Sequence, residues 1–170
     1  IEEPQHAYII DFGNSLVTDG IKPTDICFES YRPPENILHM HISKKTDIWS
    51  LGCIFYEMLT DNTLFTFENN YQTSEDYHSV LSSIRTSEGP VSIDTIDERR
   101  LTNMYILCDN DNIIRKQNII QLLKSNSAFT INDTILDSIA QVISNMLQID
   151  PEDRYSCDEL LRCDLFASFV

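Results

Sequence analysis

The chain changes its apolar period several times, and each change marks an element. Ala7–Ile10 is a short, continuous apolar run, which predicts a buried strand. Asp11–Gly20 is polar and carries Gly13 and Gly20, so a turn and a loop follow. Thr18–Ser30 has no steady period and contains Pro23. Pro33-Pro34 is incompatible with a helix interior but suits the start of a short helix over Glu35–Met40. The next pattern is the strongest. "TDIWSLGCIFYEMLT", Thr46–Thr60, opens on a possible cap, Thr46, with Asp47 at the positive end of the helix. Its Ile48, Trp49, Leu51, Ile54, Phe55, Met58 and Leu59 leave almost no polar side, which predicts a central, fully buried helix.

Amphipathic spacing recurs downstream. Tyr77, Val80, Leu81 and Ile84 share one face of Ser74–Thr86, which Gly89-Pro90 terminates. Thr95–Leu107 opens with Thr95-x-x-Glu98, the pattern of a capping box. Asp109–Asn112 is a polar break, and Ile113–Leu123 is again amphipathic. Thr130-x-x-Asp133 opens a helix with Leu136, Ile139, Ala140, Ile143 and Leu147 on its apolar side, closed by Asp150-Pro151. Ser156-x-x-Glu159 starts a last helix that presents Leu160 and Leu161 inward. The expected fold is mainly α: one strand, a long loop, then six or seven helices.

Length and charge narrow the classes. The 170 residues suffice for one domain with a real core. The absence of a long apolar run argues against a membrane span, and Ile1–Gln5 lacks the form of a signal peptide. The chain opens at Ile1 and enters a strand-like run at once, as a piece of a longer protein would. Lys and Arg number 12 against 27 Asp and Glu, a net charge of −15, which repels nucleic acid and attracts basic partners. The five cysteines include no C-x-x-C pair, which fits unpaired thiols in an intracellular, cytoplasmic or nuclear, setting. His39 and His41 have no cysteine near them and read as loop residues rather than metal ligands.

Four landmarks carry the chemistry: Asp11-Phe12-Gly13, Tyr31-Arg32-Pro33-Pro34-Glu35, Asp47-Ile48-Trp49-Ser50-Leu51-Gly52, and Asp150-Pro151-Glu152-Asp153-Arg154. In this order the chain resembles the C-terminal lobe of a eukaryotic-type protein kinase, from D-F-G onward, over essentially its whole length. The resemblance implies the helical C-lobe of a fold that is α+β as a whole, with the N-lobe outside this chain. It divides residues 1–170 into a D-F-G strand and activation segment over 8–35, a helical body over 36–170, and a group-specific insert over about 86–132. It implies ATP and Mg²⁺ as cofactors, with Asp11 as a metal ligand and Phe12 and Gly13 beside it. Mg²⁺ would neutralise charge that builds on the phosphate oxygens during transfer.

The same resemblance gives Glu35 and Arg154 a buried structural ion pair. It makes Asp47 an acceptor for backbone N–H groups of the catalytic loop, with Trp49 and Gly52 in the same motif. Thr18, Thr24, Phe28, Ser30, Tyr31 and Arg32 fall in the activation segment. Phosphorylation at Thr18, Thr24, Ser30 or Tyr31 would order that segment by pairing with an Arg. The H-R-D catalytic Asp and the ATP-anchoring Lys precede D-F-G in such enzymes, so the catalytic base is not among these residues.

Tyr31-Arg32 before Pro-Glu, and the long stretch from Arg85 to Asn132, resemble the cyclin-dependent, MAP and Clk-type group. Within that group "DFGNS", "DICFESYR" and "LFTFENNYQTSEDYHSVL" resemble the SR-protein kinases, which implies basic or Arg-Ser-rich protein substrates. Two departures stand out. Phe28 occupies the position where kinases carry Thr or Ser, and Asn62, Tyr77 and Ile84 occupy positions of the SR-kinase docking acids. Phe28 therefore supports a second expectation, a pseudokinase or a protein-binding scaffold built on the helical lobe. A third, an unrelated helical interaction domain, would make four ordered motifs accidental.

Overall fold

The computed structural model describes residues 8–16, 27–37, 40–65, 112–126 and 132–166. The expected helices over 74–86 and 95–107, most of the insert, Thr18, Thr24 and Cys108 lie outside the described residues. Those that are described form a mainly α body, with no β-strand among them. Its helices are α1 (Pro34–Ile37), α2 (Lys45–Thr60), α3 (Asn112–Asn126), α4 (Asp133–Met146) and α5 (Cys157–Leu160). Short 3₁₀ turns occupy Phe12–Asn14 and Glu29–Tyr31.

The start of α2 corrects the capping expectation. Thr46 lies inside the helix and is buried, and Lys44, the residue before the helix, makes no side-chain cap. Ser43 meets the first turn instead: its hydroxyl accepts the Lys45 N–H at 3.2 Å. The helix ends where Asp61 turns left-handed, at φ 55°, and returns its N–H to the Glu57 carbonyl at 2.8 Å. Asn132, not Thr130, caps α4, accepting the Thr134 N–H at 2.9 Å. The last predicted cap is present in both directions. Ser156 N–H donates to the Glu159 carboxylate at 2.7 Å, and Glu159 N–H donates to the Ser156 hydroxyl at 3.4 Å.

The core lies between α2, α3 and α4. Trp49, Cys53 and Tyr56 from α2 meet Ile119 and Leu123 from α3 and Leu136, Ala140 and Ile143 from α4, with Leu64, Phe65 and Leu147 completing the cluster. Trp49 is wholly buried and stacks on Phe65, ring centroids 5.8 Å apart and planes 7° from parallel. Asn126 donates to the Tyr56 hydroxyl at 3.1 Å and ties α3 to α2. A second cluster, Ile48, Val142, Met146 and Leu160, seats α5 on the opposite flank.

Gly52 makes the α2–α4 approach possible. A Cβ there would come within 3.0 Å of Met146 Cβ and Leu147 Cδ2. Three apolar predictions are corrected. Tyr8, Ile9 and Ile10 are exposed and form no strand, and no described residue offers a neighbouring strand. Helix α2 is not covered all round: Leu51, Ile54 and Met58 form an outward stripe, with Met58 72% exposed. Leu161 faces out as well, since α5 ends at Leu160.

Candidate functional site

The best-built feature joins the end of the candidate activation segment to the helical body. Pro33 and Pro34 start α1, and the next residue, Glu35, points inward to Arg154 with exposures of 1% and 0%. The pair is bidentate: Arg154 Nη1 lies 2.8 Å from Glu35 Oε1, and Nη2 lies 2.9 Å from Oε2. The Thr46 hydroxyl donates to Oε1 at 3.0 Å. Arg154 spends its remaining N–H groups on backbone carbonyls. Nε donates to Gln148 O at 3.0 Å, Nη1 to Lys45 O at 2.8 Å, and Nη2 to Ile149 O at 3.5 Å. All five guanidinium donors are thereby used. Its plane also lies over Trp49, 5.3 Å from the ring centroid. Full satisfaction is what makes a desolvated charge pair tolerable in a core.

The segment before α1 is held to α2 at two further points. The Tyr31 hydroxyl donates to Glu57 Oε2 at 2.6 Å, and the Ser50 hydroxyl donates to the Tyr31 carbonyl at 2.9 Å. The hydrogen bond to Glu57, with a smaller contribution from burial, raises the Tyr31 phenol above its ordinary value. Arg32 Nη2 donates to the Cys27 carbonyl at 3.0 Å, and Tyr31 N–H closes the turn on Phe28 O at 3.0 Å. Ser30 is half-buried in that turn. Phe28 is 83% exposed. Beneath the segment, burial raises the thiols of Cys27 and, much more strongly, Cys53. All four described cysteines are free.

Asp11 has the opposite surroundings. It is exposed and its backbone is left-handed, φ 60° and ψ 63°, a strained geometry for a residue other than glycine. Phe12–Asn14 turns immediately after it, with Ser15 N–H on Phe12 O at 3.0 Å. At Gly13 a Cβ would stand 3.3 Å from Asp11 Oδ1, so glycine leaves room beside the carboxylate. Among the described residues no group of three or more His, Cys, Asp or Glu could hold a metal ion. At this turn Asp11 offers an open carboxylate rather than a cage among the described residues. That fits Mg²⁺, which takes one or two protein carboxylates and completes its shell with phosphate oxygens and water. Asp47 is likewise exposed, on the first turn of α2.

The structure thus brings together Glu35, Arg154, Trp49 and Gly52 in one body, and Tyr31 and Arg32 on its edge. Asp11, Phe12 and Asp47 are exposed rather than buried with them. Two contributors escaped the sequence reading. Glu57 is a lone acid late in an apolar helix, a signal that could have marked it. Thr46, read as a cap, is a ligand of the buried carboxylate.

Among the described residues no helix is long and apolar enough to cross a membrane. A family profile described as "Protein kinase domain" matches residues 1–166. The "Probable serine/threonine-protein kinase clkA" of Dictyostelium discoideum is 29% identical over 153 residues, 90% of this chain and 16% of that protein. Mitogen-activated protein kinase 12 of Danio rerio is 28% identical over 170 residues, 99% of this chain and 42% of that protein. Mitogen-activated protein kinase 14 of Xenopus laevis is 26% identical over 179 residues, 99% of this chain and 43% of that protein. The chain spans less than half the length of each of these relatives.

Proposed function

Because this chain belongs to the protein kinase domain family, we propose that it is the C-lobe portion of a serine/threonine kinase that moves the γ-phosphate of ATP to protein hydroxyls. The observation that carries this reading is the family match over 1–166. Beside it stands a buried, fully bonded Glu35–Arg154 junction that anchors the end of the segment beginning at Asp11. Protein kinases as a family use ATP and Mg²⁺. Mg²⁺, when bound, supplies the positive charge that stabilises the transferring phosphoryl group.

In this proposal Asp11 supplies one carboxylate to that ion, and Gly13 keeps the space beside it open. The Pro33–Glu35 corner, held by Arg154, and the Tyr31–Glu57 and Ser50–Tyr31 bonds fix the platform on which a substrate chain would lie. The catalytic base and the nucleotide-anchoring lysine would come from other parts of the intact protein. A Clk or SR-kinase affinity, with basic or Arg-Ser-rich substrates, is supported by the likeness to the Dictyostelium kinase and by the net charge of −15. An intracellular, cytoplasmic or nuclear, location suits such substrates.

The test is Mg²⁺-dependent nucleotide binding and peptide phosphorylation by the intact protein. Activity should be retained by the native protein and lost on Asp11→Ala. A protein that neither holds nucleotide nor responds to that change would overturn the assignment. One observation favours the second reading, a pseudokinase or binding scaffold. Phe28, 83% exposed, stands where kinases carry a hydroxyl residue. The same assay separates the two.

A further inference from the structure

We propose that Tyr31 is a modification site at which a phosphate releases the segment 27–32 from α2, reversing the ordering role expected of phosphorylation in this segment. The proposal rests on the platform assigned to that segment under the kinase reading.

Half-buried, the Tyr31 ring packs against the first core cluster and leaves its hydroxyl in a part-buried position. It reaches back to a single acceptor, the carboxylate of Glu57, at 2.6 Å. That distance requires the phenolic proton: the bond exists because one oxygen carries a hydrogen and the other does not. Modification would transfer the γ-phosphoryl group of ATP, through a tyrosine-directed kinase, to the phenol oxygen. A new O–P bond forms, the bond to the β–γ bridging oxygen breaks, ADP leaves, and the phenolic proton goes to solvent. The product has no donor at that oxygen and carries close to two negative charges at neutral pH. It would face the Glu57 carboxylate across hydrogen-bonding distance, so attraction becomes repulsion.

The consequence extends beyond one bond. The Tyr31 carbonyl accepts from Ser50 and its N–H closes the turn on Phe28 O. Displacing the ring by several ångströms pulls on both. Arg32, tied to the Cys27 carbonyl, belongs to the same turn. Glu35, four residues on, stays locked to Arg154. The release is therefore confined to the segment before the Pro33-Pro34 corner, which acts as a fixed pivot.

The decisive experiment installs phosphotyrosine at position 31 of the intact protein and follows amide hydrogen exchange of residues 28–32 with and without the phosphate. The expected result is exchange at Tyr31 accelerated roughly tenfold or more, the loss expected for a charge-assisted hydrogen bond, with the α2 amides unchanged. Glu57→Gln in the phosphorylated protein removes the repelling charge and should recover part of the protection, which general misfolding would not do. Unchanged exchange in the phosphorylated protein, or no recovery with Glu57→Gln, overturns the proposal. In parallel, nucleotide affinity and the KM for a protein substrate are measured. Unchanged affinity with a KM raised about tenfold supports the platform, whereas an intact protein that binds no nucleotide overturns the kinase reading and leaves the exchange result to decide the release.

Discussion

Asp11 and Glu35 are both acids that the sequence marks by the glycine or proline beside them, yet they occupy opposite environments. Glu35 is buried, with two guanidinium bonds and a hydroxyl on its oxygens. Asp11 is exposed, on a strained backbone, with open space at Gly13. The contrast separates two uses of a carboxylate. One whose two oxygens are both bonded inside the protein holds the structure together. One kept open at a conformational cost is available to a ligand.

The largest expected effect breaks the first half of that contrast. Arg154→Ala leaves the Glu35 carboxylate buried without its partner and removes three backbone contacts. Loss of one member of such a pair costs about 3–5 kcal/mol. Chemical denaturation should show a destabilisation of that order, or no folded protein at all, and Glu35→Ala should do nearly the same. A loss below 1 kcal/mol in both would mean that the junction is solvated and the architecture is misread.

The second half is tested by a change that spares the fold. Asp11→Asn keeps a residue that tolerates the left-handed backbone while removing the charge. We expect denaturation midpoints within the error of the native protein. Mg²⁺-dependent phosphoryl transfer by the intact protein should fall by about 100-fold or more, as when one electrostatic stabiliser is removed from a transfer site. Equal losses of stability and activity would make Asp11 a structural residue after all.

The same two residues show how far the sequence could be read. The helix around Trp49, the α4 apolar face and the Ser156–Glu159 box were legible from local pattern, whereas the Glu35–Arg154 junction, 119 positions apart, was legible only through the resemblance to protein kinases. The strand expected at Ala7–Ile10 was not, since an apolar run declares a need for burial without naming the surface that supplies it. The outward stripe of Leu51, Ile54 and Met58 on α2 carries the same lesson. Thr46 and Asn132 were misjudged by a residue or two, the ordinary slack in locating a helix start from side-chain type alone. Glu57 was missed because its partner, Tyr31, lies 26 positions away, and no periodicity encodes such a pair.

Interior packing gives the next test. Gly52→Ala would gain helix propensity of about 1 kcal/mol. The new methyl, however, meets Met146 Cβ and Leu147 Cδ2 at 3.0 Å. Met146 Cβ is fixed to the α4 backbone, so the two helices must part, and overpacking of this kind costs about 1–3 kcal/mol. We expect a net loss of about 1 kcal/mol in urea denaturation. Stabilisation instead would show that α2 and α4 are not in close contact.

The smallest effect concerns a third carboxylate, intermediate between the other two. Glu159 is at the surface, yet its oxygen takes the Ser156 N–H and the Ser156 hydroxyl, both at 2.7 Å. Those bonds, the backbone one first, lower its pKa below the ordinary glutamate value. A carboxyl depressed in the folded state adds stability that is complete above its unfolded pKa of about 4.3 and disappears as the pH falls through the lower folded value. Carbon-detected NMR titration should therefore place the Glu159 midpoint below that of a glutamate in a short unstructured peptide. In Glu159→Gln an amide oxygen can still accept from Ser156 N–H, but no proton is taken up, so the acid-side loss of α5 protection should flatten. A Glu159 that titrates at or above its ordinary value would mean that the box is open in solution, and that Leu160 is held in the second core cluster by packing alone.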